Sequence, residues 1–455
     1  MMTKPKTGIM FICLLVAAQV FFAAMSAAEQ VSVDAAVLEK LQKIIQEQQQ
    51  QIQKQSEQLE SQSELLRSLQ KQVNDLQQTA SAAQTEATEA KATAEQAADT
   101  AKQASKAVGA PAAKVVTSGQ ERVKLAISGQ VHRAVNVIDD GKNTTAYFVD
   151  SDASNSRVRF VGTARATDDL TLGSRIELAI APNESSDVNQ NSEESGDFFD
   201  QRWAEVSLAS KRFGKLSLGK GDTASNNTAE VDLSRTDVVQ YSSIADIAGG
   251  MFFRQTGDDT LTDVKVSNAF KNFDGLSRKS RVRYDTPTFW GFHLAGSAVS
   301  DQRWDASLWW GGQGWGFKAA GAAAISDPNE DNTDYQYDGS FSVLHEATGL
   351  NLTLSGGIKD RESGESDPYN LYAKGGWLTR FWSFGQTAFG LDYTRSVNLP
   401  TGRDDGYSIG GALVQQFEKF GTELYLQYRL YDLDRDAAPE VQNMKVGTIG
   451  ARIKF

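Results

Sequence analysis

The sequence lacks several features that enzymes and nucleic-acid-binding proteins commonly use. Its 455 residues include one cysteine and three histidines, and the formal net charge of -12 argues against a basic nucleic-acid-binding surface. Cys13 is not preceded by a small residue, as a lipoprotein cleavage site would require, and it lies in a segment that export would remove. We therefore expect the mature chain to have no disulfide, no thiol and no cysteine metal site.

The body of the chain also lacks long apolar runs. No apolar stretch reaches the roughly twenty residues that a transmembrane helix needs. This does not exclude a membrane protein, because barrel strands alternate lipid-facing and water-facing residues and appear soluble to any hydropathy average.

The N-terminus has the pattern of a secretory signal peptide. Lys4 and Lys6 precede an apolar stretch at 9–24, and the small residues Ser26, Ala27 and Ala28 follow it. These features predict a signal peptide at 1–28 that is cleaved after Ala28. The alternative is a short transmembrane anchor, which the small residues and the limited length disfavour.

A long heptad repeat follows the signal peptide. From Val31 to Val108 every seventh residue is apolar or alanine, and most positions three residues later are leucine, alanine or glutamine. A 3.5-residue repeat of this length predicts a left-handed coiled coil over 29–110, about 100 Å long at 1.5 Å per residue. Gly109 and Pro111 would end the helix, and 111–122 would form a linker. The alternative is a disordered Gln/Ala-rich linker.

Residues 123–455 replace the heptad with period-two alternation. In the first such segment Val123, Leu125 and Ile127 share one face, whereas Lys124 and Ser128 share the other. Arg133 breaks this pattern, which indicates either a subunit contact or a bulge. Sixteen segments alternate in this way: 123–138, 156–167, 170–181, 199–210, 214–221, 278–287, 290–300, 302–311, 314–325, 334–344, 349–360, 368–377, 382–395, 405–417, 421–433 and 441–455.

The gaps between these segments indicate a membrane barrel. Every second gap is a turn of a few residues, whereas most of the others, such as 139–155, 182–198, 222–277 and 432–440, are longer and acidic; the gap near Ser300 is an exception. Short turns at one end and long loops at the other are typical of outer-membrane barrels. An even strand number would put both ends of the barrel, and therefore the coil, in the periplasm.

A soluble all-β protein is the alternative fold. Two features oppose it: the apolar faces continue from strand to strand with no second sheet to cover them, and the opposite faces carry charges. Aromatic residues also cluster near strand ends, as at Phe289, Trp290, Trp309 and Trp310, like an interfacial girdle. We therefore predict an all-β membrane protein, an antiparallel transmembrane β-barrel of about sixteen strands preceded by the coiled coil.

Three segments resemble Gram-negative porins. RVRYDTPTFWGFHLAGSAVS at 281–300 resembles the porin pattern Y-D-[ST]-P-x-F-x-G-[FL], and WAEVSLASKRFGKLSLGKGDT at 203–223 resembles the hairpin that leads into the porin constriction loop. The chain ends in Phe455, as in the sorting strand of outer-membrane proteins. A coil joined to such a barrel resembles the DcaP-like porins, which implies a homotrimer in the outer membrane that passes small anions such as dicarboxylates and binds no catalytic cofactor.

The resemblance identifies the long gap 222–277 as the constriction loop that folds into the lumen. An outside loop that covers the mouth is the alternative. The candidate constriction residues are Glu230, Asp232, Arg235, Asp237 and Asp246.

Strand parity predicts a basic wall opposite this loop. On the second segment Val158 and Phe160 face lipid, so their neighbours face water, and the third and sixth segments give the same result. The candidate pore-lining and substrate-binding residues are Arg157, Arg159, Arg165, Arg175, Arg281 and Arg283. Arginine ladders in a pore wall select anions. Alternatively these arginines only hold the acidic loop in place, and one ladder can do both.

An enzyme is disfavoured because no catalytic constellation is recognisable. His132 and His293 lie on different segments and His345 lies in a short turn, so we assign no catalytic residue and no metal ligand. We predict a porin for small hydrophilic solutes that favours organic anions. The alternative is a channel whose main role is structural, tethering the outer membrane to the cell wall, with peptidoglycan as a partner of the coil and with cation preference or none.

Overall fold

The computed structural model describes residues 116–117, 123–195, 199–362, 364, 366–436 and 439–455. The predicted signal peptide and coiled coil lie outside these residues. Sixteen long strands in the described part of the chain form the barrel: β1 Val123–Asp139, β2 Arg157–Arg165, β3 Leu170–Ile180, β4 Phe199–Ser210, β5 Gly214–Asp222, β6 Arg278–Asp285, β7 Phe292–Val299, β8 Trp304–Gly314, β9 Phe317–Asp327, β10 Gln336–His345, β11 Leu350–Lys359, β12 Tyr369–Trp382, β13 Gly385–Val397, β14 Asp405–Phe417, β15 Thr422–Asp434 and β16 Met444–Lys454.

The barrel closes between its first and last strands. Each strand pairs antiparallel with its neighbours, and β16 pairs with β1 in the register Val131↔Ile453. The N–H of Phe455 donates to the carbonyl of Gly129 over 3.0 Å and extends this contact to the last residue. The two-residue strand Val116–Thr117 pairs with the beginning of β1, at Leu125 and Lys124. The prediction of a sixteen-stranded antiparallel barrel is confirmed.

One additional strand lies where the sequence predicted a loop at 139–155. Thr144–Asp150 pairs with the second half of β1, whereas β2 pairs with the first half. A single 3-10 turn at Asp152–Ser154 separates the two, so they act as one interrupted strand. Alternation failed to identify it because Tyr147 and Val149, which alternate with the exposed Phe148, are buried and apolar.

Short turns connect the strands in pairs at one end of the barrel. Seven turns of two to six residues join β2–β3, β4–β5, β6–β7, β8–β9, β10–β11, β12–β13 and β14–β15, the last through a 3-10 turn at Glu418–Phe420. Gly349 ends one of them in the left-handed region at φ +73°, where a Cβ would lie 1.7 Å from the carbonyl oxygen of Leu378. Phe213, Trp290, Trp315 and Phe420 are highly exposed in these turns, as expected for an aromatic girdle at a membrane interface.

The longest connection, 223–277, is here called the inner loop. It contains a 3-10 turn at Ile244–Ile247, the short strands Phe252–Arg254 and Leu261–Lys265, which pair with each other, and a helical turn at Val266–Ala269. Its apolar residues, including Ile247, Met251 and Phe253, are buried against wall residues such as Tyr431 and Met444. An apolar core therefore lies between the inner loop and the barrel wall, while leucine, isoleucine and valine remain exposed on the outer face.

No helix among the described residues is long and apolar enough to cross a membrane.

Arg133 faces outward on β1 without a bulge. Pairing with β16 continues in register through Arg133↔Ala451. Its guanidinium donates to the carbonyl of Pro182 over 2.8 Å and lies 3.5 Å from a carboxylate oxygen of Asp150. The bulge interpretation is therefore wrong, and the subunit contact stays a prediction.

Candidate functional site

The inner loop is attached first to the inward-facing residues of β7, β8 and β10. Its N–H groups donate to serine hydroxyls and to one carboxylate of the wall: Ala224 to Ser297 Oγ over 2.7 Å, Ser225 to Asp305 Oδ2 over 2.9 Å, Val231 to Ser340 Oγ over 2.8 Å and Leu233 to Ser342 Oγ over 3.0 Å. Short hydroxyl side chains at inward positions thus let the backbone of the loop approach the wall.

The loop then continues along β12 to β15 and reaches β1. Lys374 Nζ donates to Asp232, Gln240 Nε2 donates to Asp392 Oδ2 over 2.5 Å, Tyr431 Oη donates to the carbonyl of Ile244 over 2.6 Å, and Asn136 Nδ2 donates to the carbonyl of Ile247 over 2.7 Å. Gly390 makes room for Gln240, because a Cβ there would lie 2.0 Å from its Oε1. The inner loop therefore lies inside the barrel and not over its mouth.

Four arginines on β2, β3 and β4 surround one carboxylate, that of Glu177. Nitrogen atoms of Arg157, Arg159, Arg175 and Arg202 lie 3.4, 2.6, 2.5 and 3.0 Å from its oxygens. Glu177 is fully buried, whereas 13 to 36% of the arginine side-chain surface stays exposed. Four guanidinium charges against one carboxylate leave a net charge of +3. We call this group the arginine cluster.

Sequence parity identified three members of the arginine cluster and missed Arg202. The pairing of β3 with β4 shifts register beside Glu177: Glu177 pairs with Trp203, but Leu178 pairs with Gln201. Arg202 is the extra residue of this bulge, and its Nε points to Glu177. Nothing in the local alternation marks this shift in register. Parity counted from Ala204 and Val206 therefore puts Arg202 on the outer face of the barrel.

Arg281 faces inward but is almost completely buried. Its side chain is 1% exposed, and Nη2 lies 2.6 Å from Glu205 Oε2. Its other nitrogens donate to the carbonyls of Gly219 and Asp222, in the last four residues of β5. Arg281 therefore lies on the inner face, as parity predicts, and it ties β6 to β4 and β5; its role as a pore-lining residue stays a prediction.

The other two predicted arginines are separate from the cluster. Arg283 pairs with Asp285 at 2.6 Å and donates to the carbonyl of Thr223, where the inner loop begins. Arg165 is exposed at the short-turn end of β2, eight residues from Arg157 and therefore roughly 26 Å away along the strand.

The five predicted loop residues have different environments in the structure. Asp232 forms a buried ion pair with Lys374, whose side chain is 0% exposed. Arg235 and Asp237 are exposed, and Arg235 has a left-handed φ of +66°. Glu230 and Asp246 remain half-buried near Asp274, a residue that sequence reasoning did not single out.

These acids and part of the arginine cluster line one cavity of about 500 Å³, here called the charged cavity. The wall contributes Arg157, Arg202 and Arg278. The inner loop contributes Glu230, Asp246 and Asp274. The remaining charged and polar side chains that line it are Asp152, Ser154, Asn226, Asn227, Tyr241, Asn272 and Ser277.

The loop carboxyls of the charged cavity hold protons more tightly than ordinary carboxyls. Burial raises the pKa of Asp246 to about 7, and the nearby Asp152 carboxylate adds to the rise, whereas hydrogen bonds from Tyr241 and Ser243 oppose it. Burial likewise raises the pKa of Asp274 to about 6. The pKa of Glu230 is raised by burial and by the charges of Asp274 and Asp246.

No group of three or more histidine, cysteine, aspartate or glutamate side chains within the described ranges is arranged to hold a metal ion.

A family model described as Gram-negative porin matches residues 15–438. No curated protein matches the chain. Solved structures of similar fold include OmpT, an outer membrane protein of Vibrio cholerae, at 14% identity, covering 75% of this chain and 100% of that one with a TM-score of 0.50. The anion-selective porin from Comamonas acidovorans is 14% identical, covering 73% and 100% of the two chains with a TM-score of 0.50.

The outer membrane channel DcaP of Acinetobacter baumannii is 11% identical, covering 74% of this chain and 99% of that one with a TM-score of 0.47. Identities this low show a shared fold alone. The resemblance to DcaP-like porins in particular stays a prediction.

Proposed function

Because this chain belongs to the Gram-negative porin family, we propose that it is an outer-membrane channel for small hydrophilic solutes that favours small organic anions such as dicarboxylates. The family match covers most of the chain, and the closed barrel supplies the path across the membrane. The preference for anions goes beyond the family and rests on the charges of the lumen.

The arginine cluster is the observation that carries this preference. Its net charge of +3 is partly exposed, and two of its members, Arg157 and Arg202, face the inner loop across the charged cavity. Guanidinium groups bind carboxylates through two parallel hydrogen bonds, so they attract organic anions more specifically than a point charge does. The acidic composition of the whole chain matters less, since charges on outside loops are screened within about 10 Å in 0.1 M salt.

Solute flux into proteoliposomes tests this proposal. We expect succinate to enter faster than putrescine, a four-carbon dication of similar length, because the cluster attracts the first and repels the second. Empty liposomes give the background. Equal rates, or faster entry of putrescine, would contradict the anion preference, and no flux above the background would contradict the channel itself.

We also propose that the protein is a homotrimer with its coil in the periplasm. The heptad repeat of 29–110 and the family resemblance motivate this, although Ile/Val at a and Leu at d suit a dimer equally well. The mass of the detergent-solubilised protein tests it, since a monomer or dimer mass would contradict a trimer.

A further inference from the structure

The charged cavity has two sides of opposite charge. The guanidinium groups of Arg157, Arg202 and Arg278 lie on the barrel wall, and the carboxyl groups of Glu230, Asp246 and Asp274 lie on the inner loop. The two sides interact electrostatically, because Arg278 lowers the pKa of both Glu230 and Asp274, against the larger effect of burial. An uncharged solute or a simple anion uses only part of this arrangement.

The loop carboxyls have no cationic partner of their own. Glu230 accepts a hydrogen bond from Asn272, Asp246 accepts from Tyr241 and Ser243, and Asp274 accepts from the N–H groups of Asn227 and Ala229. Within the described ranges, no lysine or arginine forms an ion pair with any of the three. Three carboxyls close together without a counter-ion repel one another, and a cationic group between them would relieve that repulsion.

The wall side has the opposite imbalance. Of the four guanidinium groups around Glu177, Arg157 and Arg202 also reach the charged cavity. Asn226, near the start of the inner loop and 5% exposed, also lines the cavity, and its Nδ2 has no hydrogen-bond partner among the residues that the structure describes. The wall arginines and Asn226 together therefore offer more donors than the protein satisfies, and carboxylate oxygens are the acceptors that suit them.

We propose that the charged cavity selects acidic α-amino acids such as glutamate. The two carboxylates of the solute bind to the wall arginines, and its ammonium group binds among Glu230, Asp246 and Asp274. This proposal rests on the proposed function and names the substrate class within it. The cavity volume of about 500 Å³ lies within the range of small-molecule binding sites.

A dicarboxylate without an ammonium group should fit less well. Glutarate has the same carbon chain and the same two carboxylates as glutamate, and it differs by the α-amino group. Glutarate would satisfy the arginines but would leave the loop carboxyls facing further negative charge. The comparison of these two solutes therefore isolates the contribution of the acidic side.

Uptake of L-glutamate and glutarate into proteoliposomes at low solute concentration tests the inference. In the intact protein at about pH 8 we expect glutamate to enter about two to five times faster, the range for a solvent-accessible ion pair. In the double variant Glu230→Gln, Asp246→Asn the ratio should fall to about one while glutarate entry stays the same or rises. Asp258→Asn, an exposed acid on the same loop, should leave the ratio unchanged.

Equal rates in the intact protein, or a preference that survives the double variant, would overturn the inference. If the double variant does not assemble, the intact protein decides by its pH dependence. Protonation of Asp246 and Asp274, with pKa values of about 7 and 6, should reduce the glutamate preference between about pH 8 and about pH 6.5, where both solutes keep their two carboxylates charged, and a ratio that does not fall would refute the proposal. The proposed function has a separate test, the relative rates of succinate and putrescine entry, so the failure of one proposal can be told from the failure of the other.

Discussion

Two stretches of the inner wall carry the same kinds of charged groups and use them differently. On β2 to β4, four arginines share Glu177 and remain 13 to 36% exposed. On β12 to β15, Lys374 pairs with Asp232 of the inner loop and Arg429 pairs with Asp392, and all four side chains are at most 3% exposed. The inner loop runs along the second stretch. Toward the first stretch it presents Glu230, Asp246 and Asp274 across the charged cavity.

The difference shows what decides the role of an inward-facing charge in a barrel. A one-to-one pair under the loop leaves no net charge for a solute, and its removal from water makes each partner depend on the other. A four-to-one group at the edge of open space retains charge that solutes meet. On the proposed function, pore selectivity depends on where the inner loop lies as much as on which residues face inward.

The largest expected effect comes from breaking the covered pair. Asp232→Asn would leave the ammonium group of Lys374 buried without a counter-ion, which typically costs about 3–5 kcal/mol. We expect the temperature at which the folded barrel unfolds in SDS gel electrophoresis to fall, and single-channel conductance to rise as the inner loop detaches.

Asp237→Asn is the matched control for that variant. Asp237 lies on the same loop five residues later but is exposed. It should leave the unfolding temperature essentially unchanged, because its side chain does not belong to a buried ion pair. Equal behaviour of the two variants would mean that the Asp232–Lys374 pair does not hold the loop.

An intermediate effect should distinguish Arg281 from Arg159, which parity treats alike. Arg281→Gln removes the main partner of buried Glu205, leaving Lys215 Nζ at 3.9 Å, so we expect a loss on the order of 2 kcal/mol in stability. Arg159→Gln should lower stability by less than about 1 kcal/mol because the side chain is 36% exposed, but it should reduce anion preference. We would measure the unfolding temperature by gel shift and the ion selectivity of both variants. If only Arg281→Gln lost selectivity, the roles assigned to Arg281 and Arg159 would be wrong.

The smallest effect should come from pH. Asp246 and Asp274, with pKa values of about 7 and 6, lose their negative charge as pH falls from about 8 to about 5.5, while the guanidinium groups stay charged. The cavity becomes more positive, so anion preference should rise as pH falls. Ordinary carboxyls would produce this change only below about pH 5. Constant selectivity across the range, measured as reversal potential, would show that these acids do not face the permeating ions.

Sequence alternation sufficed for most of the fold because the lipid-facing half of each strand must be apolar whatever lies inside. All sixteen predicted strands are present, and the largest boundary difference is at the end of β12, which continues to Trp382 instead of ending at 377. The strand Thr144–Asp150 was missed because its inward residues pack against the inner loop and are apolar as well. The signal peptide and coiled coil stay predictions.

The site was harder to predict than the fold. Parity brought Arg157, Arg159 and Arg175 to the same wall, but it could not reveal that Glu205 and backbone carbonyls bury Arg281 or that a bulge turns Arg202 inward. Asp274 and Tyr241 join the charged cavity only because the inner loop folds back on itself. Such contacts connect residues distant in sequence, and no local pattern encodes them.

The reversal potential in a salt gradient across a planar bilayer tests the central claim most directly. At about 0.1 M salt we predict anion selectivity for the intact channel, since the arginine cluster carries a net charge of +3 by the ion pairs around Glu177. The double variant Arg159→Gln, Arg202→Gln should lose most of it, whereas Arg403→Gln, a 78% exposed arginine in an outer loop, should retain it. Cation selectivity of the intact channel would contradict the account, because it would mean that the acidic inner loop dominates the cluster.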